Sequence, residues 1–330
     1  MNVIQAKALC RQFKVAQAED HLLKRVFARK YQVINAVTSI DFSIEPGELV
    51  GFIGPNGAGK STTIKMMCGI LIPTAGEILV FGEKPYQNRK ANALKIGVVF
   101  GQRSQLWWDL PLSDTFWLLK KMYHIPDRVY EENLKEFNDF LDLKAFFHQP
   151  VRQLSLGQRM RADIAAALLH SPQILFLDEP TIGLDVIVKQ QIREYIKKIN
   201  AQRGTTIILT THDMKDIEAV CDRIIMIDKG KIVMDMPVKE VIDTFSQEHR
   251  ITFTFEESPN RIPNIADCVI VSQNEHEVTY SFNRQQIQEG QIILEMANDT
   301  SFQGVNIVKP EIDEIIRNIY LKNNKERILK

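Results

Sequence analysis

The chain has 330 residues, in which 41 Lys+Arg balance 41 Asp+Glu, so no overall charge draws it onto nucleic acid or anionic lipid. Its four cysteines, Cys10, Cys68, Cys221 and Cys268, stand far apart without a CxxC pair, which argues against a disulfide framework and a zinc site and fits a reducing cytosol. No apolar run approaches the roughly 20 residues that cross a bilayer and no signal-peptide core opens the chain, so the protein is expected to be soluble or to dock on something that is not.

Over residues 2–13, the loose alternation of Val3, Ile4, Ala6, Ala8 and Leu9 predicts an edge strand ending near Phe13. Between Val15 and Val33, Lys24, Arg25, Arg29 and Lys30 lie beside Leu22, Leu23, Val26 and Phe27. That spacing fits either a short basic amphipathic helix or a solvated surface insertion. Alternation resumes over residues 34–44, and Glu45-Pro46-Gly47-Glu48 turns into a short apolar strand with Leu49, Val50, Phe52 and Ile53.

The run Gly54, Pro55, Asn56, Gly57, Ala58, Gly59, Lys60, Ser61 follows that strand and leads at Thr62 into a helical segment. This is a phosphate-binding loop in its required strand–loop–helix setting. Glycines let the backbone curl so that successive N–H groups face anionic oxygens, and the helix adds its positive N-terminal end. Lys60 is placed to reach β- and γ-phosphates, and the Ser61 hydroxyl to ligate Mg²⁺.

Strands are predicted over Glu77–Phe81 and Ile96–Phe100, followed by a helical stretch from Ser113 to about Phe147 with apolar repeats at Phe116, Leu119, Leu134, Phe137 and Leu141. We read it as a helical subdomain inserted in an α/β core. Leu154-Ser155-Leu156-Gly157-Gln158 opens a further helix with Ser155 as N-cap; by itself this is a capped amphipathic helix and nothing more. The uniformly apolar Ile174–Leu177 predicts a central parallel strand. It ends in Asp178-Glu179, at the sheet edge where open α/β folds bind ligands. Asp178 is suited to orienting Mg²⁺ and Glu179 to accepting a proton from an attacking water. A second buried strand, Ile207–Leu209, ends in Thr210-Thr211-His212, which puts His212 on the same rim as a γ-phosphate contact.

Together these residues resemble the nucleotide-binding subunit of ATP-binding cassette (ABC) transporters. Gly54 to Ser61 matches the family's Walker A motif, Gln102 its Q-loop, Leu154 to Gln158 its LSGGQ signature, Ile174 to Glu179 its Walker B, Gly183-Leu184-Asp185 its D-loop and His212 its H-loop. All six occur in the family's order, and the stretches from Gly101 to Pro111 and Leu154 to Ala166 resemble an export-type branch related to ABC-2 drug and sodium exporters.

The resemblance implies an α/β P-loop NTPase core with an antiparallel edge sheet over residues 1–245 and a helical subdomain over about 103–170. Beyond Phe245 the resemblance ends, and strand patterns such as Ile251, Phe253 and Phe255 with a helix over Glu311–Leu321 read as a small C-terminal α+β module over 246–330. The resemblance also implies ATP and Mg²⁺ as ligands, with Gln102 joining Ser61 and Asp178 at the metal. It also implies a head-to-tail dimer in which Ser155, Gly157, Gln158 and Asp185 of one copy serve the nucleotide of the other. Such a subunit would sit on the cytoplasmic face of the membrane, bound to integral ABC-2-type permease subunits and not to nucleic acid. The loop from Arg103 to Leu112, with Trp107-Trp108, is the expected dock.

Two positions depart from the family pattern: Leu156 replaces the first signature glycine, and the adenine-stacking aromatic is either Phe13 or Tyr31. The C-terminal module carries no catalytic constellation and serves dimer contact, regulation or passive extension. Two other function classes stay open, a soluble cassette acting on nucleic acid or ribosomes and an importer ATPase.

Overall fold

A computed structural model of the chain describes residues 2–16, 31–101, 104–245, 248–259, 261–308, 312–317 and 319–320. The chain divides into two compact units, Met1–Met236 and Pro237–Lys330. The break falls upstream of the boundary expected after Phe245.

In the first unit β1 (Ile4–Ala16) and β2 (Tyr31–Ile44) form a long antiparallel hairpin, paired from Ile4↔Ile44 out to Ala16↔Tyr31. Both strands outrun the apolar alternation, because backbone hydrogen bonds continue where side chains no longer reach a core. Val15 and Tyr31 to Val33 are therefore strand; the candidate helix residues, Leu22 to Lys30, lie outside the described residues.

Next come β3 (Leu49–Ile53), α1 (Lys60–Met67) and β4 (Ala75–Val80), which adds to β1 to give the antiparallel sheet β2-β1-β4. After α2 (Arg89–Ala93) and β5 (Ile96–Phe100), the chain leaves the sheet for α3 (Leu112–Met122), α4 (Asp127–Leu141) and α5 (Leu156–Leu168). Phe116, Phe137 and Leu141 are fully buried there, and Phe116 meets Phe147 edge to face at 5.7 Å. The chain returns through β6 (Ile174–Asp178), α6 (Val186–Arg203), β7 (Thr206–Thr210), α7 (Met214–Val220), β8 (Arg223–Asp228) and β9 (Lys231–Pro237).

The main sheet has the order β5-β6-β7-β3-β8-β9, with β5 through β8 paired in parallel. Every residue of β3 and β7 is buried, as is Ile174 to Leu177 of β6; strands covered on both faces have to be apolar throughout. The register Phe100↔Asp178↔Thr210 brings the carboxyl ends of β5, β6 and β7 level beside β3. The loops that follow these strands meet along one edge.

The second unit contains α8 (Val238–Phe245), β10 (Glu248–Thr254), β11 (Cys268–Gln273), β12 (Glu277–Asn283), α9 (Glu289–Asp299) and β13 (Gly304–Val308). Its antiparallel sheet, β11-β12-β10-β13, packs Ile251, Phe253, Tyr280 and Phe282 with Ile292 and Met296 of α9 in one core. The helix expected over Glu311–Leu321 is present at 312–317 and 319–320.

Candidate functional site

The phosphate loop is held by backbone on two sides. A Cβ at Gly54 (φ +157°) would lie 2.2 Å from the Ile227 carbonyl oxygen, and one at Gly59 (φ +112°) 2.5 Å from that of Ala36. Only glycine lets the loop lie this close between β2 and the end of β8. Gly230 N–H donates to the Ala58 carbonyl at 2.8 Å and Ala58 N–H to that of Pro55 at 3.1 Å, which closes the curl. Lys60, the first residue of α1, is 7% exposed, and its ammonium donates to the Gly54 and Pro55 carbonyls across the mouth of the loop. Burial lowers its pKa, while the carboxylates of Glu179 and Asp178 act in the opposite direction.

A cavity of about 660 Å³ opens over this loop, lined by residues 56–62 and by Phe100, Gly101, Asp178 and Glu179. A second cavity, of about 560 Å³, lies at the other edge of the sheet beside Gln173 and Thr206. Its polar groups are bonded to one another, Arg203 donating to Asn133 Oδ1 at 2.9 Å and to Glu136 Oε2 at 2.5 Å. Of these two cavities among the described residues, the first joins a phosphate cradle to carboxylates and the second does not.

The acid pair is set by β7. Thr210 Oγ1 donates to Asp178 Oδ1 at 2.5 Å, and Glu179 N–H donates to the Thr210 carbonyl at 2.9 Å. Glu179 takes a left-handed conformation (φ +57°), an uncommon choice for a side-chain-bearing residue, and its carboxylate lies 3.1 Å from His212 Nδ1. Gly101 completes the rim: its N–H donates to the Asp178 carbonyl at 2.7 Å, and a Cβ there would meet the Glu179 carbonyl oxygen at 2.5 Å. Sequence reasoning missed Thr210 and Gly101. The signal was a threonine next to the strand-end Thr211-His212 and a glycine ending β5.

The signature segment sits elsewhere on the chain. Ser155 caps α5 with a reciprocal capping box: its Oγ accepts from Gln158 N–H at 3.2 Å, and Gln158 Oε1 accepts from Ser155 N–H at 2.9 Å. Ser155, Gly157 and Gln158 do not line the phosphate cavity of their own chain. Leu156 instead covers the segment after Walker B, its Cδ2 lying 3.0 Å from where a Cβ on Gly183 would stand. Asp185 caps α6, accepting from Val188 N–H at 2.9 Å.

Of the two aromatic candidates, Phe13 carries the Arg11 guanidinium 4.7 Å over its ring and Tyr31 is 55% exposed opposite Ala16. From β2 the cavity takes Ala36 instead of either. Gln102 and Arg103 lie outside the described residues.

The donor set fits a nucleoside triphosphate with a divalent cation: a cradle that a Cβ would obstruct, a buried lysine, a helix N-terminus, a hydroxyl at Ser61 and a carboxylate at Asp178 facing one cavity. Fold and site together define a P-loop ATPase.

Residues 37–182 match the family model described as ABC transporter. The chain is 33% identical over 231 residues to the probable multidrug ABC transporter ATP-binding protein YbhF of Escherichia coli, covering 70% of this chain and 36% of that one. It is also 33% identical to the Nod factor export ATP-binding protein I of Cupriavidus metallidurans, over 63% of this chain and 68% of the relative. Among solved structures, a dimeric ATP-binding cassette in a post-hydrolysis state bound to ADP and Pi aligns with TM-score 0.61 and 26% identity, over 71% of this chain and 98% of that one. The chain belongs to the ABC transporter family and carries its ATP-binding domain. It spans about a third of the length of YbhF, and no helix among the described residues is long and apolar enough to cross a membrane.

Proposed function

We propose that this chain is the ATP-hydrolysing, energy-coupling subunit of an ABC-type exporter, acting as a dimer on a separate ABC-2-type permease at the cytoplasmic face of the membrane. The observation that carries the reading is the split arrangement: Ser155 and Gly157 stand outside the phosphate cavity of their own chain, so a second copy is needed to bring a signature to each nucleotide. Related chains carry multidrug and export names, which favours export over import. The balanced charge gives no electrostatic footprint for nucleic acid.

Residues 54–62 cradle the phosphates, with Lys60 on the β- and γ-phosphates. Glu179 accepts the proton of the attacking water, and His212, beside it, contacts the γ-phosphate. Ser61 and Asp178, with Gln102, would hold Mg²⁺, which would supply positive charge to offset that developing on the phosphoryl group. Ser155, Gly157, Gln158 and Asp185 of the second copy close the site, with the capped amide end of α5 toward the γ-phosphate. Phe13 or Tyr31 supplies the adenine contact.

Mixing a Lys60→Ala chain with a Gly157→Asp chain, each inactive alone, is expected to restore ATP turnover in the mixed dimers, because one of their two sites is intact. Mixed dimers that form and stay inactive would refute composite sites.

Trp107 and Trp108 support the dock, being 38% and 52% exposed in the segment that leads from β5 into the helical subdomain. Exposed tryptophans are favoured as interface anchors. Purification from native membranes is expected to recover a multispanning protein with the wild-type chain and to lose it with a folded Trp107→Ala/Trp108→Ala variant. Retention of that partner would exclude the pair from the dock, and recovery of DNA or ribosomes alone would favour the soluble class.

A further inference from the structure

Asp216, in the first turn of α7, is fully buried. Its carboxylate collects donors from three separate segments. Thr181 Oγ1, two residues beyond Glu179, donates to Asp216 Oδ2. Thr211 Oγ1, adjacent to His212, donates to the same oxygen at 3.0 Å. Arg193 of α6 donates through Nε to Oδ1 at 2.7 Å and pairs with it again through Nη2. Thr181 and Thr211 are 4% and 3% exposed, so neither hydroxyl has ready access to water as an alternative partner.

The seat of Asp216 is also fixed from below and beside it. A Cβ on Gly51 of β3 would stand 2.7 Å from Ile217 Cδ1, so α7 rests directly on the strand that feeds the phosphate loop. Asp213, the N-cap of α7, accepts from Lys189 Nζ of α6 at 2.7 Å and lies 3.6 Å from Arg193. The two aspartates thus anchor α7 to α6 through two cations, while Asp216 alone takes both threonine hydroxyls.

We infer that Asp216 is a positioning residue: it ties the loop after Glu179 to the loop bearing His212, and thereby holds the Glu179 carboxylate and the His212 imidazole at their 3.1 Å approach. The parallel register of β6 and β7 sets the two strand ends level, but Glu179 and His212 both lie beyond the paired residues Asp178 and Thr210. Past that point the shared carboxylate aligns the loops. It connects the segment just after Walker B, at Thr181, with the H-loop within one chain, so a displacement of either reaches the other through one buried group. This inference rests on the reading of Glu179 and His212 as the hydrolytic pair.

Thr181→Val and Thr211→Val remove one hydroxyl each and keep side-chain shape, so they test the clamp without opening a cavity. Each is expected to lower ATP turnover at saturating nucleotide about tenfold, the loss of a hydrogen bond to a charged group; Thr211→Val also takes the Oγ1 acceptor from Asp213 N–H, which Thr181→Val leaves in place. Affinity for a fluorescent ATP analogue should stay within about twofold, since no phosphate-binding group is touched. The imidazole NMR resonances of His212 should shift in both variants, and Asp216→Asn should reproduce the shift if it folds. Folded threonine variants with wild-type turnover and unmoved His212 resonances would overturn the clamp, as would analogue affinity falling in step with turnover, the mark of a merely structural role. Glu179→Gln measured alongside separates the two claims: turnover retained there overturns the hydrolytic reading, whereas turnover lost there but kept in the threonine variants overturns the clamp alone.

Discussion

Glu179→Gln is expected to reduce ATP turnover about a thousandfold while leaving nucleotide binding intact, the size of effect that a positioned general base supplies. The substitution is close to isosteric. The backbone bond from Glu179 N–H to the Thr210 carbonyl does not involve the side chain, and the amide oxygen still reaches the His212 ring at the distance the carboxylate holds, 3.1 Å. What is removed is the ability to take a proton. Because the phosphate cradle is untouched, the variant should bind ATP and accumulate as the closed dimer, since the γ-phosphate that favours closure is not consumed. Steady-state hydrolysis together with sizing chromatography in ATP checks both halves of the statement. Hydrolysis near the wild-type rate would assign the base elsewhere.

Gly101→Ala is the second change with a large expected effect, although Gly101 bears no functional group. Its added Cβ would lie 2.5 Å from the Glu179 carbonyl oxygen and 2.8 Å from that of Asp178, distances at which one backbone has to move. The neighbours cannot yield cheaply. Gly101 N–H already donates to the Asp178 carbonyl at 2.7 Å, and Glu179 is held to Thr210 on its other side. The displaced element is therefore the turn that carries Glu179. We expect a loss of about 2 kcal/mol of stability, as for overpacking in a close-packed interior. We also expect about a hundredfold loss of turnover, the penalty for shifting a catalytic group by roughly 1 Å. Thermal unfolding and saturating ATPase rates measure the two separately. A stable variant with full turnover would show that the rim tolerates the displacement.

The β1–β2 hairpin shows where side-chain pattern stops being informative. Strand alternation faded near Phe13 and resumed at Ile34, and the intervening residues offered a basic helix or an insertion. Pairing continues past Phe13 and Ile34 to Ala16↔Tyr31, because a hairpin propagates through backbone hydrogen bonds that carry no side-chain signature. The stretch Ile224 to Ile227 is legible in the sequence as a continuous apolar run, and it forms β8, the strand whose end closes over Gly54.

The sequence alone determined the local chemistry. The glycine spacing before Lys60-Ser61, the apolar run into Asp178-Glu179 and the Ser155 cap are each contained within about ten residues, where turn geometry, strand burial and helix capping act on neighbours in the chain. The tertiary structure decided what those pieces face. Glu179 meets His212, 33 residues further on, only because β6 lies beside β7; Gly101 touches both acids only because β5 flanks β6; and Asp216 joins Thr181 to Thr211 only because α7 rests on β3. The signature segment, although recognisable as a string, lies outside its own chain's phosphate cavity because the helical subdomain carries it away from the sheet edge. Strand order and strand register are products of long-range packing among many buried side chains, and no short stretch of residues contains them.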